Sequence, residues 1–514
     1  MRRVAIAVLA LALAAGCSSR ASHGEPHVLR IADNADPSSL NPLLAHDQDT
    51  IGYDLLVTET LIGLDARNRL IPVLITRVPT RANGDVSPDG KRIVYHLRAG
   101  VRFADGTPFT SSDVAFTYRA IMDPRNPVES QDAYRRIASL ETPDAHTVVI
   151  RLFKRWNAAV AEIFAQADFA FGILPAHAFA STDVTRGPWN QLPFGTGPFR
   201  VTEWSRGNRI VLDPNPYYQP RPKLHRIVLE LLPNVDSSLL ALQARDVDIA
   251  EVGAGQIPQL ARMPGVRTLL TPINGEYMLF AQTALAPSND VHFRRAVAAA
   301  IDSSAIVRTR YGTMSAADSF LPPVFTWHDP HPESMHADLE RAARELALSG
   351  WKKGDSITLA FQPTRGTWLE TVVQDQLHKA GIDVELKTFA PALFNGPGGP
   401  LRSGRFVLAS SQWIGAADPE QSVITACSQR GPNGNNSMNY CSAAFEALFD
   451  DQSSTTSEAR RRSDFIAMQR IVRSDAPLIP LAFENNVDAL DARVSGFARS
   501  MLLYPVGAPD WDAR

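Results

Sequence analysis

The sequence predicts an α/β fold built from two lobes. Apolar, strand-like runs are interleaved with helix-like segments along the 514 residues, as in a sheet covered by helices. A chain this long exceeds one ordinary hydrophobic core, so at least two domains are expected. Strand meanders dominate up to about residue 272, and strands and helices alternate more cleanly from 273 onward, so we expect a lobe boundary there.

The individual elements can be assigned in chain order. A strand should open at Val28 and break into the polar loop IADNADPSSLNP. SSDVAFTYRAIM predicts a helix capped by Ser111 or Ser112, with Asp113 in the first turn, where the helix dipole favours an acid. Further strands are expected in HTVVIRLF, RIVLDP, HRIVLELL, SITLAFQ, IDVELKTF, RFVLAS and LIPLAF. Further helices are expected in SSLLALQA, VHFRRAVAAAID, HADLERAARELALSG, WLETVVQDQLHKAG and SEARRRSDFIAMQRIVRSDAP.

The N-terminus has the pattern of an export signal. Arg2 and Arg3 precede an apolar run, residues 4–15, that is too short to span a bilayer. LAAGC, residues 13–17, resembles the bacterial lipoprotein cleavage box. The resemblance implies a signal peptide over 1–16, a lipidated Cys17 and a tether over 17–27, anchoring the protein to the membrane in the periplasm or cell envelope. The alternative is a plain signal peptide with an incidental cysteine.

Several function classes are disfavoured by composition and motifs. The formal net charge of −3, without a basic stripe, argues against nucleic acid as a partner. No GxSxG, HExxH or Ser-x-x-Lys motif stands in its usual context, so an exported hydrolase is only a distant alternative. His328, His331 and His336 cluster in a proline-rich connector, but no acid or cysteine completes a usual ligand spacing. We therefore expect no enzyme activity, no cofactor and no metal site.

The two remaining cysteines enclose a flexible segment. Cys427 and Cys441 flank a stretch rich in Gly and Asn, and a disulfide across it would stabilise the fold by about 3 kcal/mol. An oxidising compartment permits the bond. Two free thiols are the alternative, since spacing alone does not give their distance.

Several blocks along the chain together resemble one family. The blocks are YHLRAGVRFADGTPFTSSDVAFTY, GTGPF, LDPNPYY, LLALQARDVDIAEV, FRRAVAAAID, ARELALSGW, QLHKAGIDVEL and DAPLIPL. Their order and spacing, from about residue 28 to the C-terminus, resemble the bacterial extracellular solute-binding proteins of family 5, the peptide- and nickel-type binding lipoproteins of ABC importers. Read from the residues alone, most of these blocks are turns, caps and strand ends.

The resemblance implies a type II periplasmic-binding-protein fold of the large cluster C form, with mixed sheets. Lobe I would comprise residues 28–272 and 484–514, with an inserted subdomain at about 66–190, and lobe II residues 273–483. A lipid-anchored monomer of this kind would capture a peptide or peptide-like solute between its lobes and deliver it to an importer permease. A sugar, an opine-like compound or a metal chelate is the alternative ligand, and a sensor or chaperone role remains open because fold does not fix function.

Candidate ligand residues lie in two regions that the resemblance brings to the cleft. From lobe I these are Asn34, Ala35, Asp36 and Ser38, although an Asx-type turn before Pro37 explains the same residues. Next to the first crossover, strand alternation separates Glu276 from Tyr277 without deciding which faces the cleft.

The stretch SSQWIGAADPE supplies Trp413, Gly415, Ala416 and Asp418 as further candidates. In peptide-binding members of the family, an aspartate three residues after this tryptophan pairs with the peptide's α-amino group. Here that position is Ala416, and the acid comes two places later, at Asp418. Either Asp418 takes over the role through a shifted loop, or this anchor is absent.

Overall fold

The structure is a computed structural model. The model describes residues 25–34, 36–44, 48–128, 130–167, 170–180, 182–325, 327–329, 336–363, 366–396, 398–420, 422–431 and 435–514. The predicted signal peptide, Cys17 and most of the tether lie outside these residues, as do Ala35 and His331.

The strands of the described chain are short except for two. They are β1 Val28–Asp33, β2 Ile62–Leu64, β3 Leu70–Pro72, β4 Arg92–His96, β5 Ile137–Asp144, β6 Thr147–Leu152, β7 Phe199–Ser205, β8 Arg209–Pro214, β9 Arg226–Leu231, β10 Ile249–Glu251, β11 Val266–Ala281, β12 Met314–Ala316, β13 Ser356–Phe361, β14 Asp383–Thr388, β15 Leu408–Ile414, β16 Leu478–Asp491, β17 Val494–Ser495, β18 Ala498–Arg499, β19 Pro505–Val506 and β20 Asp512–Ala513.

The helices lie between and around these strands. They are α1 Gln48–Val57, α2 Ser111–Met122, α3 Asp132–Arg135, α4 Ala159–Glu162, α5 Val235–Ala244, α6 Ile257–Leu260, α7 Val291–Ala300, α8 Ser303–Val307, α9 Leu339–Leu348, α10 Trp368–Lys379, α11 Pro391–Asn395, α12 Pro400–Ser403, α13 Ser422–Thr425, α14 Ala443–Ser454 and α15 Glu458–Asp475. Within the described residues, none of them is both long enough and apolar enough to cross a membrane.

One eleven-stranded mixed sheet runs through both lobes. Its order is β14-β13-β15-β11-β16-β10-β1-β9-β8-β7, with β12 added on β16. We call the β10-β1-β9-β8-β7 side the first lobe and the β12–β15 side the second lobe. The long strands β11 and β16 pair antiparallel from one lobe into the other, and their register shifts between Pro272 and Glu276. The predicted two-lobed α/β fold is therefore present.

A separate packed unit is inserted in the first lobe. Its sheet has the order β4-β6-β5, and a short β2-β3 pair lies beside it. Helix α2 packs on this sheet, and the unit has its own hydrophobic core, whose members run from Leu43 to Trp189. Helix α2 begins at Ser111 as expected, but its N-cap is Thr110, which forms a capping box with Asp113.

A hydrophobic cluster joins the two lobes, and we call it the interlobe core. Helix α1, which packs on β7, contributes Ile51 and Leu55, and the C-terminal segment contributes Tyr504. The second lobe contributes Met278, Phe280 and residues of the segments around α11 to α15. A different cluster, the second-lobe core, lies on the opposite face of β11 and packs against α7 and α10.

Two strands are longer than the sequence indicated. The strand predicted in RFVLAS continues as β15 through Trp413 to Ile414, because β11 pairs with it residue by residue up to Gly275. The strand predicted in LIPLAF continues as β16 to Asp491, across the polar residues that connect the lobes. The predicted disulfide between Cys427 and Cys441 is present.

Candidate functional site

The face of the sheet that carries Trp413 also carries Glu276. These two residues are direct neighbours across the antiparallel pair β11–β15. Trp413 packs against the interlobe core, and the alternate residues of β11, Met278 and Phe280, belong to that core. Glu276 therefore points to the side where the two lobes meet, which answers the question that alternation alone left open.

Tyr277 lies on the other face of β11. It belongs to the second-lobe core with Leu279 and Ala281, where it packs among residues of α7 and α10. This placement argues against Tyr277 as a ligand contact, because the body of the second lobe separates it from the gap between the lobes.

Glu276 is an exceptional buried acid. Its side chain is 2% exposed, and within the described part of the chain neither carboxylate oxygen has a hydrogen-bond partner. Burial raises the pKa of its carboxyl well above the usual range, because the charged form loses its hydration. Burial therefore disfavours the charged form of this group.

Trp413 forms one wall of a cavity of about 200 Å3 in the second lobe. Phe280 and the polar residues Ser411, Gln412, Asn435 and Ser437 line it as well. Among the described residues, the indole N–H of Trp413 is buried without a hydrogen-bond partner. An aromatic wall with a few polar groups is the usual lining of a small-molecule site.

Asp418 is committed to an internal ion pair. Its carboxylate lies 2.6 Å from the Nη2 atom of Arg461, and both side chains are buried. The guanidinium also donates to Gln452 and lies over the ring of Trp327. The prediction that Asp418 anchors a ligand amine is therefore weakened, because Arg461 already neutralises the carboxylate.

Gly415 and Ala416 tie the end of β15 to the segment between the lobes. The Gly415 N–H donates to the carbonyl of Asn274, at 2.9 Å. The side-chain amide of Asn274 donates to the carbonyl of Ala416, at 2.7 Å. Both backbone groups are thus used within the protein, and Ala416 brings no polar side chain to the position of the family's aspartate.

The loop after β1 is held by its own lobe. The carboxylate of Asp36 accepts hydrogen bonds from the Trp204 indole and the Gly207 N–H in the β7–β8 turn. Arg206 donates to the carbonyl of Ser38, and Asn34 accepts a bond from Ser238. These contacts are to distant parts of the same lobe and do not test the Asx-type turn, and the ligand roles of Asn34, Asp36 and Ser38 stay predictions.

Contacts between the inserted unit and the second lobe were not foreseen from the sequence. The Asn157 side chain donates to the carbonyls of Gln452 and Thr455, at 2.7 and 2.8 Å. The Trp156 indole donates to Glu420 at 3.0 Å. Trp156 and Asn157 lie in the short connector after β6, and Glu420 lies in the connector after β15. Sequence periodicity in such connectors does not indicate which residue they contact.

No metal centre is formed by the described residues, where no group of three or more His, Cys, Asp or Glu could hold an ion. The Nδ1–H of His328 donates to the carbonyl of Leu321, and the ring lies 3.4 Å from Asp318. His336 lies 3.6 Å from Asp302. The two described histidines of the connector therefore have separate acidic neighbours.

Two lobes joined by paired long strands, with a lined cavity in the second lobe beside the interlobe core, are the architecture of two-lobed solute-binding proteins. The family model for bacterial extracellular solute-binding proteins, family 5 (middle region), matches residues 69–435. The chain belongs to this family, as its sequence blocks indicated.

The relatives bind different solutes. The chain is 26% identical to the probable D,D-dipeptide-binding periplasmic protein DdpA of Escherichia coli, covering 97% of this chain and 96% of that one. The ABC transporter-associated periplasmic binding protein DppA of Helicobacter pylori, in complex with the peptide STSA, has the same fold, with a TM-score of 0.77, 23% identity and coverage of 95% and 98%. NikZ of Campylobacter jejuni, in complex with Ni(L-His), has a TM-score of 0.80, 19% identity and coverage of 95% and 100%.

Proposed function

We propose that this protein captures a peptide or peptide-like solute between its lobes and delivers it to the permease of an ABC importer. The observation that carries the proposal is the meeting face of the lobes, where Trp413 lines a cavity beside the interlobe core. The peptide-binding relatives named above support the ligand class. No covalent chemistry is required, and the proposed role is binding.

Lobe movement follows from the connection between the lobes. We place the hinge where the register of β11 and β16 shifts between Pro272 and Glu276. The proposed lobe boundaries at 272/273 and 483/484 lie at this shift. A ligand that contacts both lobes stabilises their closed arrangement by its differential contacts. The permease would then recognise the closed form. We further propose that lipidated Cys17 holds the protein at the membrane as a monomer.

A non-peptide ligand is the second candidate. It is favoured by Ala416 at the family's anchor position and by the pairing of Asp418 with Arg461. A sugar, an opine-like compound or a metal chelate would not need that anchor.

Mass spectrometry of solute released from the purified, denatured protein tests the ligand class directly. We expect peptides or peptide-like amines in the released fraction. A thermal-shift screen should then show a rise in melting temperature with that class alone, since a ligand that binds the folded state stabilises it by mass action. Turnover of peptide or ester substrates at the cleft would contradict the proposal.

The cavity beside Trp413 can be tested by substitution. We expect Trp413→Ala to abolish ligand-induced stabilisation while the protein still folds, because the change removes a wall of the cavity. Trp351→Ala is the matched control, since Trp351 packs on Phe293 in the second-lobe core. The control should lower the melting temperature and keep the ligand-induced shift. An unchanged shift in Trp413→Ala would remove Trp413 from the site.

A further inference from the structure

We propose that Glu276 is the counter-ion for a cationic amine of the ligand, and that the cavity beside Trp413 takes the adjoining part of the same molecule. This inference rests on the proposed function, because it names the chemical group that the interlobe site selects. It places the amine anchor on strand β11, beside the hinge, and not on the loop after Trp413.

The geometry brings the two residues together. Glu276 and Trp413 are directly opposite each other on neighbouring antiparallel strands, a relation that puts their Cα atoms about 4.5–5.5 Å apart. Their side chains share the face that carries Phe280, which also lines the cavity. Glu276 does not line the cavity itself, so a ligand that fills the cavity would reach its carboxylate by extending past Trp413 along this face.

Three buried polar atoms of Glu276 and Trp413 lack hydrogen bonds within the described chain. Glu276 offers two acceptor oxygens and Trp413 offers one N–H, and none of these buried atoms has a partner in the described chain. Burying such groups without partners is unfavourable, and most of all for a charged group. A ligand amine would supply donors to the carboxylate in a charge-assisted pair, and a ligand carbonyl would accept from the indole.

Other buried acids near Glu276 do have hydrogen-bond or ion-pair partners within the protein. Glu370 of α10 accepts a 2.7 Å bond from Ser410. Asp418 pairs with Arg461, and Glu484 of β16 accepts from the side chain of Gln412. These acids serve the packing of the second lobe, whereas neither carboxylate oxygen of Glu276 has a hydrogen-bond partner among the described residues.

Access to Glu276 depends on the lobes. The face that carries it is covered by the interlobe core, to which both lobes contribute. Separation of the lobes exposes the carboxylate, and closure over a bound amine encloses the ion pair in a dry environment, where it is strengthened. Loss of an aspartate at Ala416 therefore does not exclude ligands with a free amine.

Binding of a matched pair of probes tests the proposal. The probes are Ala-Ala-Ala and N-acetyl-Ala-Ala-Ala, which differ in the terminal amine and are titrated by calorimetry. We expect the wild type to prefer the free amine, and Glu276→Gln to lower its affinity at least about tenfold, since a buried charge pair is lost. Affinity for the acetylated probe should change less than twofold. Equal affinities of both proteins for the free amine would overturn the proposal.

Unliganded stability gives an independent readout. We expect Glu276→Met to raise the melting temperature of the protein without ligand, because it removes a buried acid to which no described residue donates a hydrogen bond. Glu370→Met is the control and should lower it, because Ser410 loses its acceptor. A fall of similar size in Glu276→Met would show a structural role and overturn the inference. If neither probe binds the wild type, the proposed peptide function fails, and the stability result alone decides the role of Glu276.

Discussion

Arg461 forms an ion pair with Asp418, the acid that the sequence suggested as a ligand anchor. It lies on α15, 43 positions after Asp418 in sequence, and it contacts Asp418, Gln452 and the ring of Trp327. Nothing in the local pattern around SSQWIGAADPE indicates this partner. Asp418 and Ala416 were predicted from the same stretch, and only the tertiary pairing shows that the acid has an internal role.

Replacement of Asp418 separates the two interpretations of this residue. We expect Asp418→Asn to lower the free energy of unfolding by about 3–5 kcal/mol, because Arg461 is left buried without its charge partner. Ligand affinity of the folded fraction should be unchanged. Urea denaturation and calorimetry measure the two effects. The control, Asp213→Asn, removes the exposed pair with Arg226 and should cost less than about 1 kcal/mol. Loss of binding at unchanged stability would restore Asp418 as the anchor.

Glu59 gives the first lobe a defined pH dependence. Burial raises the pKa of its carboxyl to about 7, and Tyr218 donates a 3.0 Å bond to it. A carboxyl whose pKa is raised on folding contributes its stability fully below about pH 4.5, and this contribution is lost as pH rises to about 7.

Relative to Glu59→Gln, the wild type should therefore lose up to about 3 kcal/mol of unfolding free energy between pH 4.5 and 7, and lose no more above it. The glutamine keeps the acceptor for Tyr218 and does not titrate. Chemical denaturation of both proteins at several pH values checks this. Parallel pH profiles of the two proteins would contradict the assignment.

At the scale of elements, the sequence was informative where periodicity is strong. Helices such as α7, α10 and α15 and strands such as β8 and β13 fall where their patterns predicted. The ends of β15 and β16 were missed because both strands run through polar residues, Ser411 and Gln412 in β15 and Asn485 and Asn486 in β16. There, pairing with β11 replaces apolar burial as the cause of strand structure. Strand alternation divides the side chains of β11 into two sets but does not say which set faces the other lobe. The hydrophobic clusters on the two faces of β11 decide this.

The connector after β6 is an element that holds the inserted unit against the second lobe. Asn157 contributes two side-chain bonds to the end of α14, and its backbone N–H donates to Ser453. These contacts exist only while the two parts are close, so they favour the closed arrangement.

Removal of the Asn157 amide should therefore shift the molecule toward open forms. We expect Asn157→Ala to weaken ligand affinity several-fold and to increase the radius of gyration measured by small-angle scattering. We expect this loss of affinity because the substitution removes two hydrogen bonds of about 1 kcal/mol each. The control is Asn83→Ala, whose amide bonds to Val78 within the inserted unit. An unchanged radius and affinity in Asn157→Ala would show that this contact does not contribute to closure.

For the whole molecule, the family blocks predicted the two-lobed architecture, the inserted unit and the mixed sheet. They did so because turns, caps and glycine loops are fixed by the backbone path that relatives share. The proposed ligand contact at Glu276 was less predictable, since this acid becomes distinctive only when its burial and its lack of hydrogen-bond partners among the described residues are known. From the sequence alone, Glu276 and Tyr277 were equal candidates, although their side chains lie on opposite faces of β11.

The disulfide has a consequence for when the molecule becomes able to bind. Asn435 and Ser437 line the cavity beside Trp413, and both lie inside the loop that Cys427 and Cys441 close. A newly made chain in a reducing cytoplasm has two thiols and an untethered cavity wall. On the proposed function, oxidation after export would complete the cavity wall, and a precursor chain in the cytoplasm would bind the solute less tightly.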